Sequence, residues 1–387
     1  MKTLFDQHGV VGYTCGLIKE LIRGYGVEVI PFGRLRPSLV HAIYSKPILE
    51  QPRILKVASQ VAVREGAEEI YKFFAGDVFG SVRHVANYLQ LRSIMGKCDL
   101  IHLNGCSSYT FMWLLRKCAG KPFIVTVHNL PHPEYELLPS RKIFEWKQKH
   151  VLRRMYSSNI PVATVSKFMR RMLLTKYGIA SKVIHHGVDS NLFNPAVPRE
   201  KMRRLLNIPQ DFTCILWVGY LDPLKDPLTL IRAIPAVLEK HKKVKFVMVC
   251  KRKGQLDRLV LARVHDGPYS RNILFVGHAA YASMPFIYAA ADIFVSTSLL
   301  ETFGLSVLEA MACGKAVVVS DQEASLEVLN GKGLIFQKGK PQDLADKLTL
   351  LIEDTTLRRN MGRSAYLMSR EHFTWKNAAL RVLSVCG

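Results

Sequence analysis

Twelve short apolar runs alternate with helix-period segments along this chain, and that alternation restricts the fold more than any other feature of the sequence. The runs fall at 3–5, 27–32, 100–103, 123–128, 162–165 and 183–185, then at 214–218, 245–249, 273–276, 293–296, 316–319 and 334–336. Strands separated by helices predict an α/β protein with parallel sheets covered by helices, and ligands at the carboxyl ends of the strands. Two successive sets of six predict two doubly wound domains with a cleft between them. A length of 387 residues exceeds what one core usually supports, which agrees with two domains. The segment 191–200, carrying Pro195 and Pro198, is the natural linker.

The second set of strands leads into the segment that carries chemistry. After the apolar run 291–298 comes ETFGLSVLEAMACG, framed by Glu301 and Glu309. Its Thr-Phe-Gly turn opens a helix at about Leu305, which leaves the N–H groups of Phe303, Gly304 and Leu305 pointing beyond the strand end, an anion site suited to a diphosphate. Glu309 then lies about one turn into that helix and Glu301 just before it. Carboxylates repel phosphate but accept hydrogen bonds from hydroxyls, so the pair suits neutral groups on either side of the anion. The order expected is a sugar, a diphosphate and a ribose in line. The plain alternative is an amphipathic helix with two solvated glutamates.

The stretch ETFGLSVLEAMACGKAVVVSD resembles the Glu-x7-Glu signature of the retaining GT-B glycosyltransferases of the large family 4, also called glycosyl transferases group 1. The Phe-Gly between the two carboxylates, the Glu-Ala-Met-Ala-x-Gly and the strand-like 316–321 make the signature specific. Other segments follow in the family's order. Residues 213–219 and Lys225 resemble the strand, turn and phosphate-gripping lysine that open the C-terminal domain. IHHGVDSNLFNP and PVATVSKFMRRML resemble the segments before it, and Thr126-Val127-His128 resembles the N-terminal strand end bearing an active-site histidine.

The resemblance covers nearly all of 100–387 and implies a GT-B fold, two doubly wound Rossmann-like domains facing a central cleft. Residues 1–190 would bind the acceptor and 191–373 the nucleotide sugar. Residues 374–387 would be a helix returning to the N-terminal domain, with 375–385 as its candidate. The implied activity is transfer of a hexosyl-class sugar from a nucleoside diphosphate sugar to an acceptor hydroxyl, with retention and without cofactor, metal or covalent nucleophile. Glu301 would orient sugar hydroxyls, Glu309 the ribose, and His128 would meet the donor sugar near the reacting carbon. Lys225 and the N–H groups of Phe303, Gly304 and Leu305 would neutralise the diphosphate. Gly12, in the loop Gly9-Val10-Val11-Gly12, would approach the donor.

Two positions depart from the pattern. Tyr220 stands where the family usually has an arginine, and a tyrosine cannot replace a permanent positive charge. Cys250-Lys251-Arg252-Lys253-Gly254 stands where the family usually has a Gly-x-Gly turn, so Lys251 or Arg252 is expected to supply the missing cation to the donor. A solvated charged turn is the alternative there. Three other readings stay open: a nucleotide-sugar binding protein without transferase activity, a sugar-nucleotide epimerase, and a nucleic-acid binder.

Composition narrows the partners. Hydrophobic residues at 49% and charged residues at 22% describe a soluble globular protein and exclude disordered and fibrous classes. No uncharged apolar stretch reaches about 18 residues, and Asp6 interrupts an N-terminus that lacks a small-residue cleavage site, so a cytoplasmic address is expected. The eight cysteines show no metal-ligand spacing; Cys214, Cys250 and Cys313 sit in apolar or small-residue runs, where a reduced thiol acts as a small hydrophobe. The 54 basic and 31 acidic residues give a net charge of +23, and residues 1–190 hold 27 of the basic and 13 of the acidic ones. These charges are dispersed rather than grouped with aromatics, so nucleic acid is not the expected partner. A lipid-linked or other anionic acceptor fits, as does peripheral attachment to the inner face of an anionic membrane. The segment 141–156, with Phe144, Val151, Leu152 and Met155 near one face, reads either as a solvated surface helix or as a membrane-contacting one.

Overall fold

A computed structural model describes residues 17, 20, 28–32, 56–60, 100–104, 123–129, 161–251, 256–265, 267–277 and 279–386. The run expected at 3–5, Gly12, the segment 141–156 and Arg252 lie outside the described residues. The chain divides into two compact units, residues 1–187 with 375–387, and residues 188–374.

The first unit contains a parallel sheet of β1 (Glu28–Phe32), β2 (Lys56–Gln60), β3 (Leu100–Asn104), β4 (Phe123–Val127), β5 (Val162–Thr164) and β6 (Lys182–Val183). Among the described strands the spatial order follows the chain order. Strand β2, KVASQ, is not one of the apolar runs read from the sequence; its parallel pairing with β1 and β3 places it. Helix α1 (Lys167–Tyr177) starts where the Ser166 hydroxyl accepts the Met169 N–H at 3.1 Å and stops at Gly178, whose φ of 71° ends the helical path.

In the second unit, β7 (Thr213–Tyr220), β8 (Val244–Lys251), β9 (Ile273–Val276), β10 (Ile293–Ser296), β11 (Ala316–Ser320) and β12 (Leu334–Phe336) form a parallel sheet in the order β12-β11-β10-β7-β8-β9. Helices α2 (Arg199–Leu205), α3 (Pro227–Lys240), α4 (Asp257–His265), α5 (Met284–Ala290), α6 (Leu305–Ala312), α7 (Glu323–Leu329), α8 (Pro341–Glu353) and α9 (Thr355–His372) are interspersed with the strands. Alternate strand residues Trp217, Phe246, Val295 and Val318 join Leu230, Ile234, Leu344 and Leu348 of α3 and α8 in one core. The intervening residues Leu216, Val247, Phe294 and Val317 are buried as well. Burial on both faces explains why these strands read as continuous apolar runs rather than as alternation.

The amino ends of β7 and β10 are joined by charge. Buried Arg203 of α2 pairs with Asp292 at 2.5 Å, and the same carboxylate oxygen accepts the Cys214 N–H at 2.8 Å. Arg203 also donates to the carbonyls of Phe212 at 3.0 Å and Ala290 at 3.0 Å, so its charge enters the core fully partnered.

The chain enters and leaves the second unit at adjacent points, where the Val188 N–H donates to the Phe373 carbonyl at 2.9 Å. Beyond them α10 (Trp375–Cys386) packs on β4 of the first unit. Trp375 meets the His186 ring edge-on at 6.4 Å, and Arg381 Nη1 lies 3.2 Å from His185 Nδ1.

Candidate active site

The strand order of the second sheet reverses between β7 and β10. From β7 the chain builds outward through β8 and β9, then returns to the other side of β7 for β10 and builds outward through β11 and β12. The loops leaving the carboxyl ends of two such strands run apart and open a crevice, where ligands of doubly wound sheets bind. Here those loops are 221–226 and 297–304, and they hold Lys225 and Glu301.

Several bonds join the two loops. The Trp217 indole N–H donates to Thr297 Oγ1 at 2.9 Å, and that hydroxyl donates to the Lys225 carbonyl at 2.8 Å. The Leu299 N–H donates to the Leu224 carbonyl at 2.8 Å. Asp222 Oδ1 accepts the Lys225 N–H at 2.9 Å, and burial raises its pKa above the ordinary carboxylate value. Gly219 is needed beneath Lys225, because a Cβ there would come within 2.9 Å of the Trp217 ring and 3.4 Å of Lys225 Cγ. With its backbone held, Lys225 reaches Glu301: Nζ forms an ion pair with Oε1, and Ser298 Oγ donates to the same oxygen at 2.9 Å. The Lys225 and Glu301 side chains keep 24% and 12% of their surface exposed, enough to meet a ligand.

Helix α6 begins at Leu305, with Gly304 at the N-cap in the left-handed region at φ 98° and without a side-chain cap. The first-turn N–H groups therefore depend on an acceptor from outside the helix, the property of an anion site. The ring of Phe303 points away from this chemistry: it is buried and meets Phe373 at 5.9 Å. Phe303 can serve a ligand through its backbone only.

Glu309 lies on the first turns of α6 and is half-buried. Burial pushes its pKa up to about 7, although the Tyr288 hydroxyl, which donates to Oε2 at 2.9 Å, pulls the other way. Lys251 is the last residue of β8 and the register partner of Tyr220. The two departures noted in the sequence are thus neighbours at the carboxyl edge of the sheet.

In the first unit, His128 follows β4 and is buried, 5.5 Å from the His186 ring. His102 of β3 is buried too, with Nε2 2.8 Å from Thr126 Oγ1. Burial, then the neighbouring His102, lowers the His128 pKa to about 3; burial lowers that of His102 to about 4. Burial, followed by His128 and His185, carries His186 well below its ordinary value. All three are neutral imidazoles at pH 7. Among the described residues no three His, Cys, Asp or Glu side chains come together as metal ligands, and no helix is long and apolar enough to cross a membrane.

Sequence reading does not find Asp222, Thr297, Ser298 or Tyr288. A visible signal existed for two of them, since Ser296-Thr297-Ser298 is a polar triplet at the end of an otherwise apolar strand.

Comparison with known proteins gives one answer for both units. Residues 198–368 match the family described as glycosyl transferases group 1, and residues 9–192 match Glycosyltransferase Family 4. A D-inositol 3-phosphate glycosyltransferase of Corynebacterium jeikeium is 31% identical over 295 residues, covering 73% of this chain and 70% of the relative. Spore coat protein SA of Bacillus subtilis is 25% identical over 305 residues, 74% of this chain and 78% of the relative. Among solved structures, sucrose-phosphate synthase from Thermosynechococcus elongatus superposes with a TM-score of 0.72 at 20% identity, covering 95% of this chain and 90% of that one. HepE of Anabaena, solved with UDP and glucose, gives a TM-score of 0.66 at 20% identity, over 85% and 90% of the two chains. The two family matches and the corynebacterial relative establish that this chain belongs to the group 1, family 4 glycosyltransferases and is a glycosyltransferase of GT-B fold.

Proposed function

We infer that this glycosyltransferase moves a hexosyl group from a nucleoside diphosphate sugar to the hydroxyl of an anionic acceptor, with retention at the anomeric carbon. The supporting observation is the reversal of strand order between β7 and β10, whose loops bring Lys225 to Glu301 just before the uncapped start of α6, with Glu309 about one turn further on.

Lys225 answers the diphosphate. Its ammonium has three donors, so it can keep Glu301 and reach a phosphate oxygen together. The first-turn N–H groups at Gly304 and Leu305, with the backbone of Phe303, offer a second positive end. This pair supplies the neutralisation that a divalent ion supplies elsewhere, so the reaction proceeds without metal. Glu301 orients the sugar hydroxyls and Glu309 accepts from the ribose. His128 gives the donor sugar a neutral imidazole near the reacting carbon, and Gly12 is assigned to donor binding. As the bond from the anomeric carbon to the phosphate oxygen breaks, the acceptor oxygen bonds to that carbon on the same face. The acceptor proton passes to the departing phosphate. Lys251, beside Tyr220 in register, and Arg252 replace the positive charge that Tyr220 lacks.

HepE was solved with UDP-glucose and the corynebacterial relatives are named for a phosphorylated inositol, which supports a nucleotide-sugar donor and an anionic acceptor. The excess of basic over acidic residues in 1–190 supports the same acceptor class. The test begins with melting against UDP, GDP, ADP and TDP, where the correct nucleotide at 100 times its dissociation constant stabilises by about 2.7 kcal/mol. The anomeric configuration of the product with that donor is then read by NMR, with and without EDTA. Inversion removes retention, loss of activity in EDTA removes metal independence, and full activity in both Glu301→Ala and Glu309→Ala removes the site. A sugar nucleotide epimerised without acceptor would favour the epimerase reading.

A further inference from the structure

Tyr288 is a fully buried residue of α5 whose hydroxyl lies against the partly exposed Glu309. Its ring packs edge-on against Phe193 at 5.9 Å and tilted against Phe294 at 5.8 Å. The end of α5 is fastened by two cations: Arg203 Nε donates to the Ala290 carbonyl at 3.0 Å and Lys315 Nζ to the Ala289 carbonyl at 3.2 Å. Packing and these bonds fix the position of the phenol oxygen.

A phenol has one proton to give. The Ser306 carbonyl at 3.3 Å would satisfy an ordinary core tyrosine, yet Glu309 Oε2 at 2.9 Å is nearer and charged, and a charged acceptor makes the stronger bond. Ser306 and Glu309 are three residues apart on α6, so both acceptors share the helix face turned to α5. Glu309 Oε1 has no protein hydrogen bond among the described residues.

We propose that Tyr288 is a positioning residue for the Glu309 carboxylate, holding Oε2 so that Oε1 is presented, ionised, to the vicinal diol of a nucleotide ribose. This rests on the assignment of Glu309 to the ribose. Ionisation matters because a carboxylate accepts from both hydroxyls of a diol, whereas the neutral acid spends one oxygen as a donor. Burial works against ionisation, and the Tyr288 bond offsets part of that cost. The other titratable groups around the pair are Tyr281, Cys313 and Lys315.

The experiment compares the parent with Tyr288→Phe, which keeps the ring and removes the donor. In the ligand-free protein the Glu309 carboxyl is followed by carbon-13 NMR and assigned with Glu309→Gln. Its midpoint is expected near 7 in the parent and higher in Tyr288→Phe. Calorimetric binding of UDP and 2′-deoxy-UDP is then measured across pH 6 to 8.5. The preference for UDP is expected to fall at least threefold in Tyr288→Phe at pH 7 and to recover in part at pH 8.5, with KM for the donor raised and kcat little changed. Should Tyr288→Phe fail to fold, 3-fluorotyrosine at position 288, a stronger donor, is expected to lower the midpoint. An unmoved midpoint in either variant overturns the proposal. If Glu309→Gln binds UDP as the parent does, the ribose assignment fails instead, and the ligand-free titration still decides whether Tyr288 governs Glu309.

Discussion

Lys225 and Glu301 are 76 positions apart in the chain and form an ion pair in the fold, so each substitution at one exposes the other. Lys225→Ala is expected to weaken a nucleoside diphosphate relative to its nucleoside by about 1.5 to 3 kcal/mol, the range for a hydrogen bond to a charged group. Glu301→Ala is expected to lower kcat more than nucleotide affinity, because contacts to the sugar strengthen as positive charge develops in the transition state. Calorimetry with UDP and uridine, beside steady-state kinetics, separates the two; equal loss of nucleoside and diphosphate in Lys225→Ala would remove its phosphate role. The histidines make a second residue-scale prediction. Between pH 6.5 and the lowered folded values near 4 for His102 and 3 for His128, the unfolded chain takes up protons that the folded chain does not. Stability is therefore complete above pH 6.5 and falls on acidification, by about 1.4 kcal/mol per pH unit for each such group. Glu309 acts in the opposite sense from 4.5 to about 7, where the folded carboxyl retains a proton that the unfolded one has released. With His186 added, three imidazoles outweigh the raised carboxyls of Glu309 and Asp222, so the melting temperature should drop from pH 7 to pH 5. A melting temperature unchanged over that range in scanning calorimetry would contradict it.

Two glycines carry the geometry of α6 at the scale of elements. Gly304 begins the helix at φ 98°, and a Cβ there would also meet Ser325 Oγ at 3.3 Å. Gly304→Ala is expected to cost about 1–2 kcal/mol of stability and to weaken diphosphate binding together, since the left-handed turn that glycine adopts freely aims the first-turn N–H groups. Gly362 of α9 passes so close to the turn after α6 that an added Cβ would stand 2.3 Å from the Gly314 carbonyl oxygen. Gly362→Ala should therefore destabilise by about 1–3 kcal/mol through overpacking, with nucleotide specificity unchanged in the fraction that folds. Urea titration and a UDP binding curve on each variant check both outcomes. Most elements were legible because their signals are local. The second set of strands appears within a few residues of its predicted place, and α6 starts at Leu305 as the Thr-Phe-Gly turn implies. Strand β2 was not legible, because KVASQ has neither a continuous apolar run nor strict alternation.

Across the whole molecule, the net charge of +23 bears on location. The protein is expected to sediment with anionic vesicles at low salt and to be released at high salt, because each basic residue near anionic lipid gains about 1 kcal/mol and salt shortens that reach to about 10 Å at 0.1 M. Equal sedimentation with neutral and anionic vesicles would count against it. The sequence could specify the alternation of elements, the glycine turn opening α6 and the two carboxylates of the signature, because each depends on neighbours within a few positions. It predicted doubly wound sheets but could not place the reversal between β7 and β10, since strand order follows from how long crossovers pack. For the same reason it did not reveal that Thr297 bridges Trp217 to Lys225, that Lys225 reaches Glu301, or that Tyr288 reaches Glu309. The protonation of Glu309 is the furthest from the sequence. A carboxyl titrates near 7 instead of 4.5 because of what surrounds it, and its surroundings exist only after α5 and α6 have packed.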